Sequence, residues 1–556
     1  MTIEICRRVG LIIIYIVAGS LSGCFIDSDD PQSPQILSEP QIEYIGPVTQ
    51  VRGLTLETDI DSRLILELTD GAGHNLTIEY PEYAQLHANM PILGLRSART
   101  YDVTVTVQSR FGGISSWEGL LQITNGPLPD FAPDISVLTK DLSRAEPGYT
   151  LFSFARRGES SFSDAGAIII VDSDGEVVWL LDQGPGSQET EQLPGGRLLS
   201  LHPDRNLISE FDMAGNIVAA WCASAEEDCS LTAASPGKTT WVKTPDFHHE
   251  VELTEDGTYL SLTRNDVEVA GFPTDPFDET VTDTVFVQDK GVVEFAADGT
   301  LLKTWNFTDI LKPTRISYSS TNGLPNRAAN WNHSNAAYHD VRDDSIVVSL
   351  RHQDAVVKFS RDTSELIWIL GTHANWEGFE QYLLFPQNFS DWHYAQHAPE
   401  LTPQGTILLF DNGANYRASP FTGEPLTEAV NNYSRAIEYE IDEQAMTVSR
   451  VWEYGLAQGG EQLMAPIVGD ADRMPETGNV LVTFGAICTK DGMPHDVISE
   501  CRSHARVIEV VHDENADEVF DLLIDDPDPD SKGIIVYRSE RLLSLYGDTG
   551  VLVTSD

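Results

Sequence analysis

One plan is written into this chain six times: an approach segment, a turn carrying Gly or Asp, an apolar strand, a loop, a second strand, a hairpin turn, and a strand ending in an aromatic residue. It is clearest in "HHEVELTEDGTYLSLTR" (residues 248–264), completed by "TVFVQDKGVVEFAADGTLLKTWN", and in "HAPELTPQGTILLFDN" (397–412), completed by "SRAIEYEIDEQAMTVSRVWEYG". The other four units begin at residues 164, 190, 333 and 470. A unit of about four short strands, repeated, is the signature of a β-propeller blade. Six units predict an all-β chain built on a six-bladed β-propeller, with seven blades as the alternative count. The late stretch "KGIIVYRSERLLSL" is available to close the ring on the first blade. No sustained 3.6-residue periodicity appears, so helical content is expected to be low.

Ahead of the repeats, residues 37–130 hold alternating strands such as "RLILELTD" and "TYDVTVTVQS", separated by Gly, Asp and Asn turns. These read as a small fibronectin-like β-sandwich. The first residues read differently. "MTIEICRRVGLIIIYIVAGSLSGC" has two arginines, an apolar run too short to span a bilayer, and small residues before a cysteine. The expected organisation is a lipoprotein signal peptide over 1–24, a polar linker over 25–36, the sandwich over 37–130 and the propeller, carrying the chemistry, over 131–556. Phe25 after Cys24 favours an outer-membrane anchor facing the periplasm, or display at the cell surface. Export also accounts for the remaining cysteines. Cys222 with Cys229, and Cys488 with Cys501, are expected as two local disulfides, since neither pair has the two-to-four-residue spacing usual in zinc sites.

Charge narrows the partners. The chain's 556 residues include 86 acidic against 35 basic ones, a formal net charge of −51 spread along the whole sequence. Such a field repels nucleic acid. It also means that an anionic substrate needs a local basic pocket. The sequence does not fix an oligomeric state; a homodimer is compatible with it.

The repeat provides a ruler for locating that pocket. Equivalent positions in different blades converge on one axis, and eight of the fourteen histidines fall within residues 248–397. His249 lies eight residues before Gly257, and His397 eight before Gly405. Between them His333 precedes Asp344 by eleven, with Asn335 two further on, and Arg351 follows the same blade's apolar strand. Histidines gathered beside an arginine suit an oxyanion better than a metal, whose charge the guanidinium would oppose. No Gly-rich nucleotide loop occurs, so no nucleotide cofactor is expected.

The stretch "NWNHSNAAYHDVRDDSIVVSLRHQDAVVKFS", with "WILG" and then "QHAPELTPQGTILLFDNG", resembles the bacterial aryl-sulfate sulfotransferase family. The resemblance implies an exported propeller that moves a sulfuryl group from an aryl sulfate ester to a phenolic acceptor through a sulfohistidine, without nucleotide, metal or other cofactor. It further implies His397 as nucleophile, with His333, Asn335 and Arg351 holding the sulfuryl oxygens. A further histidine falls in "FHHE", where the turn count prefers His249 over His248, and Thr483 is the candidate for a late threonine. Trp331, Trp392 and Tyr394 are candidate stacking surfaces for the aryl ring. A short disulfide frequent near the family's nucleophile is missing here, since no cysteine lies between Cys229 and Cys488. Two other classes use the same residues: a metal- or quinone-dependent propeller oxidoreductase or lyase, and a non-catalytic binding lipoprotein.

Overall fold

The computed structural model describes residues 32–158, 163–186, 188–227, 229, 238–455 and 462–555. The expected signal peptide, Cys24 and the start of the linker lie outside the described residues. Within them the chain is overwhelmingly β-strand, with helix confined to short turns such as Phe307–Ile310. No helix among the described residues is long and apolar enough to cross a membrane.

Hydrogen bonding divides the strands into seven separate sheets, of eight, four, five, four, four, five and six strands. This corrects the expected fold class: none of the seven is closed into a barrel or a propeller. The six repeats are there as strand meanders, but each satisfies its backbone hydrogen bonds within its own open sheet. A repeating turn–strand pattern dictates local pairing, and closure is not written in it. The expected N-terminal two-sheet sandwich is corrected as well. Arg52–Thr69 is a single strand of 18 residues. It pairs with Ala84–Ile92 along its first part and with Asn75–Glu79 and Thr100–Ser109 along its second, so that one eight-stranded sheet results. The C-terminal strand Leu552–Ser555 returns to join this sheet beside Asn75–Glu79.

Six edge strands, one from each of the other sheets, position the site. They are β1 (Thr190–Gln192), β2 (His248–Leu253), β3 (Ser334–Asp340), β4 (His397–Leu401), β5 (Asp470–Arg473) and β6 (Ile534–Leu542). β2 lies against β3, β3 against β4, β4 against β5, β5 against β6, and β6 against β1. Apolar side chains fill the space between neighbouring sheets. Leu260, Val292 and Trp305 pack with Ala337, Val348 and Val357, and Leu408 and Phe410 pack with Val482 and Phe484. Chain ends interlock: β6 pairs with Tyr149–Arg156, and Asp134–Lys140 with Glu518–Asp525. Both expected disulfides are formed, Cys222–Cys229 and Cys488–Cys501, with Cα–Cα distances of 6.0 and 5.6 Å.

Candidate active site

β2, β3 and β4 share a local irregularity at their starts. The pairing register shifts between His248 and Val251, between Ser334 and Ala336, and between His397 and Glu400. At each place a non-glycine residue adopts a left-handed backbone: His249 at φ 62°, His333 at 47°, Ala398 at 46°. Bulges of this kind re-aim side chains next to functional sites, and the strain is sustained by the surrounding ladder. Here they sort neighbouring residues between two cavities. His249, His333, His397 and Tyr537 line one of ≈ 240 Å³, together with Arg351. Their successors Glu250, Ala398 and Arg538 line a second, of ≈ 480 Å³, which is rich in carboxylates.

The first cavity brings together four sequence-predicted residues. The rings of His249 and His333 are 4.9 Å apart, edge to face. Arg351 sits just past its strand, in the turn Arg351–Gln353. The remaining lining is largely apolar and includes Ile467, Val468 and Ile535.

Hydrogen-bond partners fix the tautomers. Asn412 donates its amide hydrogens to the carbonyls of Ala465 and Val468, at 2.8 and 2.7 Å, so its Oδ1 is an acceptor. His397 Nδ1 lies 2.6 Å from that Oδ1 and therefore carries the proton. Its Nε2 is left with a lone pair. His333 has the opposite assignment: Nδ1 is faced by Asn330 Nδ2 at 2.7 Å and Lys290 Nζ at 3.4 Å. Both are donors, so His333 holds its proton on Nε2. His352, stacked on His333 with centroids 4.5 Å apart, donates from Nδ1 to the Asn330 carbonyl at 2.6 Å. Its Nε2 accepts from the Arg351 guanidinium at 2.7 Å, while a second Arg351 nitrogen donates to the Pro466 carbonyl at 2.9 Å.

Electrostatics follow from burial. Arg351 is only 8% exposed, and the opposing charge that partly offsets its burial is the neighbouring Asp354 carboxylate. Burial lowers its pKa to about 10, which leaves it cationic at neutral pH. His249, His333 and His397 are all pushed well below the ordinary histidine value, by burial first. For His397 the next cause is the Arg351 charge; for the other two it is Lys290. All three rings are neutral near pH 7.

Other expected residues sit elsewhere. His248 stands behind His249, with their Nδ1 atoms 2.9 Å apart. In the ladder His248 faces Leu262 as His397 faces Phe410, and the bulge then turns His249 toward the cavity. Asn335 is buried and donates to the Gln396 carbonyl at 2.9 Å, its Oδ1 unpaired. Thr483 is buried against Ser539, Oγ to Oγ 2.5 Å, and does not line the cavity. Trp331 is packed in the core with its indole donating to the Arg315 carbonyl, and Trp392 and Tyr394 pack with Trp368 and Leu409. None of these three lines the cavity. Sequence reasoning missed Lys290, Asn330, His352, Asn412 and Tyr537, the last of which donates to the His249 carbonyl at 2.9 Å. His352 and Asn412 lie inside the quoted motifs. Lys290 comes from a different hairpin and left no signal.

The cavity thus places a buried guanidinium and an imidazole lone pair beside an apolar wall, with Gln188 and Asp204 also in its lining. The family model described as Arylsulfotransferase (ASST) matches residues 130–528. The chain belongs to the arylsulfotransferase family. Two relatives, both named arylsulfate sulfotransferase AssT, are 28% identical (Escherichia coli O6:H1 strain CFT073) and 26% identical (Lelliottia amnigena). The first alignment covers 54% of this chain and 55% of the relative, the second 59% of each. The chain thus matches little more than half the length of either. Solved structures similar in part include the Cps50 (Swd1) β-propeller domain of Myceliophteria thermophila, 10% identical over 73% of this chain and 98% of that one, at a TM-score of 0.32. Virginiamycin B lyase of Staphylococcus aureus is 9% identical over 75% and 95%, at 0.29. Likenesses this distant carry no argument about fold or function.

Proposed function

We propose that this chain is an aryl-sulfate sulfotransferase, acting without nucleotide through a sulfohistidine at His397. The observation that carries this reading is the meeting of His397, whose Nε2 keeps its lone pair, with the buried Arg351 cation in one cavity. A neutral imidazole attacks the sulfur of an aryl sulfate, the S–O bond to the aryl group breaks, and phenolate leaves. An acceptor phenol then attacks the same sulfur, the S–N bond breaks, and His397 is regenerated. Arg351 supplies donors to the sulfuryl oxygens, on which negative charge is spread in the transition state, and the His333 Nε2–H serves the leaving oxygen. Ile467, Val468 and Ile535 give the aryl ring an apolar wall, in place of the tryptophans expected from the sequence. His249 completes the polar side. Thr483 and His248 contribute through packing, and Asn335 from behind the cavity. The lipid-anchored, periplasm-facing placement belongs to the same proposal and rests on residues 1–24.

Turnover of a chromogenic aryl sulfate with and without added phenol tests the reaction. Ping-pong kinetics are expected, and a labelled donor without acceptor should leave an acid-labile adduct on the peptide containing "HYAQHAPEL". His393 shares that peptide but is fully buried against Tyr439 and does not line the cavity, so the label must map to His397. An adduct on His393, or transfer retained in His397→Asn, overturns the assignment. Stoichiometric metal required for turnover would favour the oxidoreductase or lyase alternative.

A further inference from the structure

The reaction proposed above needs a proton that no histidine of the cavity can supply as an imidazolium. A phenolate expelled against a largely apolar, buried wall must be protonated unless its parent phenol is strongly acidic. His249, His333, His352 and His397 are all held neutral near pH 7 by burial. A neutral imidazole releases its N–H readily only when its other nitrogen takes up a proton at the same time.

One ring of the cavity is built for that exchange. His333 keeps its proton on Nε2, which makes no hydrogen bond, while Nδ1 is faced by Asn330 Nδ2 at 2.7 Å and the Lys290 ammonium at 3.4 Å. The Asn330 Oδ1 has no partner, so a turn of that amide frees Nδ1 for Lys290 and gives the resulting Nδ1–H an acceptor. Lys290 is 8% exposed and sits in the strand Thr282–Ala296. Its backbone is clamped from the next sheet: N–H to Asn332 Oδ1 at 3.0 Å, and C=O accepting from Asn332 Nδ2 at 3.0 Å and Ser334 Oγ at 2.7 Å. The clamp holds the ammonium beside a ring from a neighbouring sheet. Burial lowers the Lys290 pKa to about 8, with Asp246 opposing and Arg264 and Arg351 assisting. The rings of His248, His249, His333 and His352 also feel its charge. At this value the ammonium is present at neutral pH and can release a proton.

We propose that Lys290 is the proton reservoir of the site, acting through His333 in both halves of the transfer. As the S–O bond breaks, His333 gives its Nε2 proton to the phenolate oxygen, and His333 Nδ1 takes a proton from the Lys290 ammonium. His333 is left as the Nδ1–H tautomer beside a neutral amine. When the acceptor phenol attacks sulfur, its hydroxyl proton passes to His333 Nε2 and the Nδ1 proton returns to Lys290. Protons balance over the cycle. Lys290 touches no substrate, so it is a positioning residue. The inference rests on the sulfotransferase reading above.

Leaving-group dependence separates this role from a structural one. The measurement is kcat/KM across pH for 4-nitrophenyl sulfate, whose phenolate needs little proton assistance, and for phenyl sulfate, whose phenolate needs much. Lys290→Met should lose about 100-fold on phenyl sulfate and under about 5-fold on 4-nitrophenyl sulfate. Wild-type activity on phenyl sulfate should fall as pH rises through about 8, a limb that the variant lacks. Lys290→Arg keeps the charge but does not release its proton, so it should not rescue phenyl sulfate. Lys290→Gln repeats the comparison, so that the result does not hang on one substitution folding. An equal loss on both donors, or full rescue by Lys290→Arg, overturns the relay while leaving the sulfotransferase intact. A wild-type enzyme that moves no sulfuryl group from any aryl sulfate overturns the function, and the relay with it.

Discussion

His352 explains why residue 351 is an arginine and not a lysine. One guanidinium nitrogen is bound to His352 Nε2 and another to the Pro466 carbonyl, so the fork is locked by neutral partners. An ammonium is a point donor on a flexible stem and cannot hold both partners in one plane. Arg351→Lys should therefore keep the charge and still reduce kcat/KM for an aryl sulfate by about 10- to 1000-fold. Wild-type turnover in that variant would reduce Arg351 to a tie between strands. At this scale the sequence was informative where the turn supplied a ruler: His249, His333 and His397 were placed by counting and Arg351 by its position after a strand, and they meet in one cavity. Counting failed for residues that work on the far nitrogen of a ring. Asn330, Asn412 and Lys290 set tautomers through Nδ1, and such contacts have no fixed spacing along a chain.

At the scale of elements, what could be read was the strand meander, because alternation and Gly or Asp turns are local. What could not be read was where one sheet stops. The expected closure failed on that point, as did the expected sandwich, since nothing in "RGLTLETDIDSRLILELT" announces one continuous strand serving different partners along its length. Tight approaches between elements are similarly silent. Gly469 leads into β5, next to the cavity residue Val468, at φ 110°. A Cβ there would lie 2.6 Å from the Phe410 ring and 2.9 Å from the Thr483 carbonyl. Gly469→Ala should lower stability by at least about 2 kcal/mol, combining backbone strain with overpacking. Gly257, at φ 77° with nothing within 4 Å of its Cβ position, pays backbone strain alone. Gly257→Ala should cost about 1 kcal/mol. Denaturant unfolding of the two variants measures the difference, and equal losses would mean that the β5 approach contributes nothing.

Across the whole molecule, the two cavities respond to pH in opposite senses. In the carboxylate-rich cavity burial raises Glu252 to about 8, Glu400 to about 8 and Glu540 to about 7. Each is raised above its unfolded value, so the folded state binds more protons and stability falls as pH rises through these values. That contribution is complete below about pH 4.5 and gone above about pH 8. The histidines of the other cavity are depressed, which makes the unfolded state the better proton binder below about pH 6.5. Their contribution is present in full above pH ~6.5 and is lost as pH falls. Above pH ~6.5 the histidines are therefore silent and the raised carboxylates set the slope up to about pH 8, above which Lys290, depressed to about 8, acts in the opposite sense. Tm should decline between about pH 6.5 and 8. Glu252→Gln with Glu400→Gln should flatten the decline, because an amide has no proton to lose. General repulsion from a net charge of −51 would also lower Tm, but it is screened by salt, whereas buried protonation is screened much less. The decline should therefore persist in about 0.5 M salt, where the Debye length is roughly half its physiological value. A Tm that is flat from about pH 6.5 to 8, or a decline unchanged by the double substitution, would show that these carboxylates are not what lowers stability in that range.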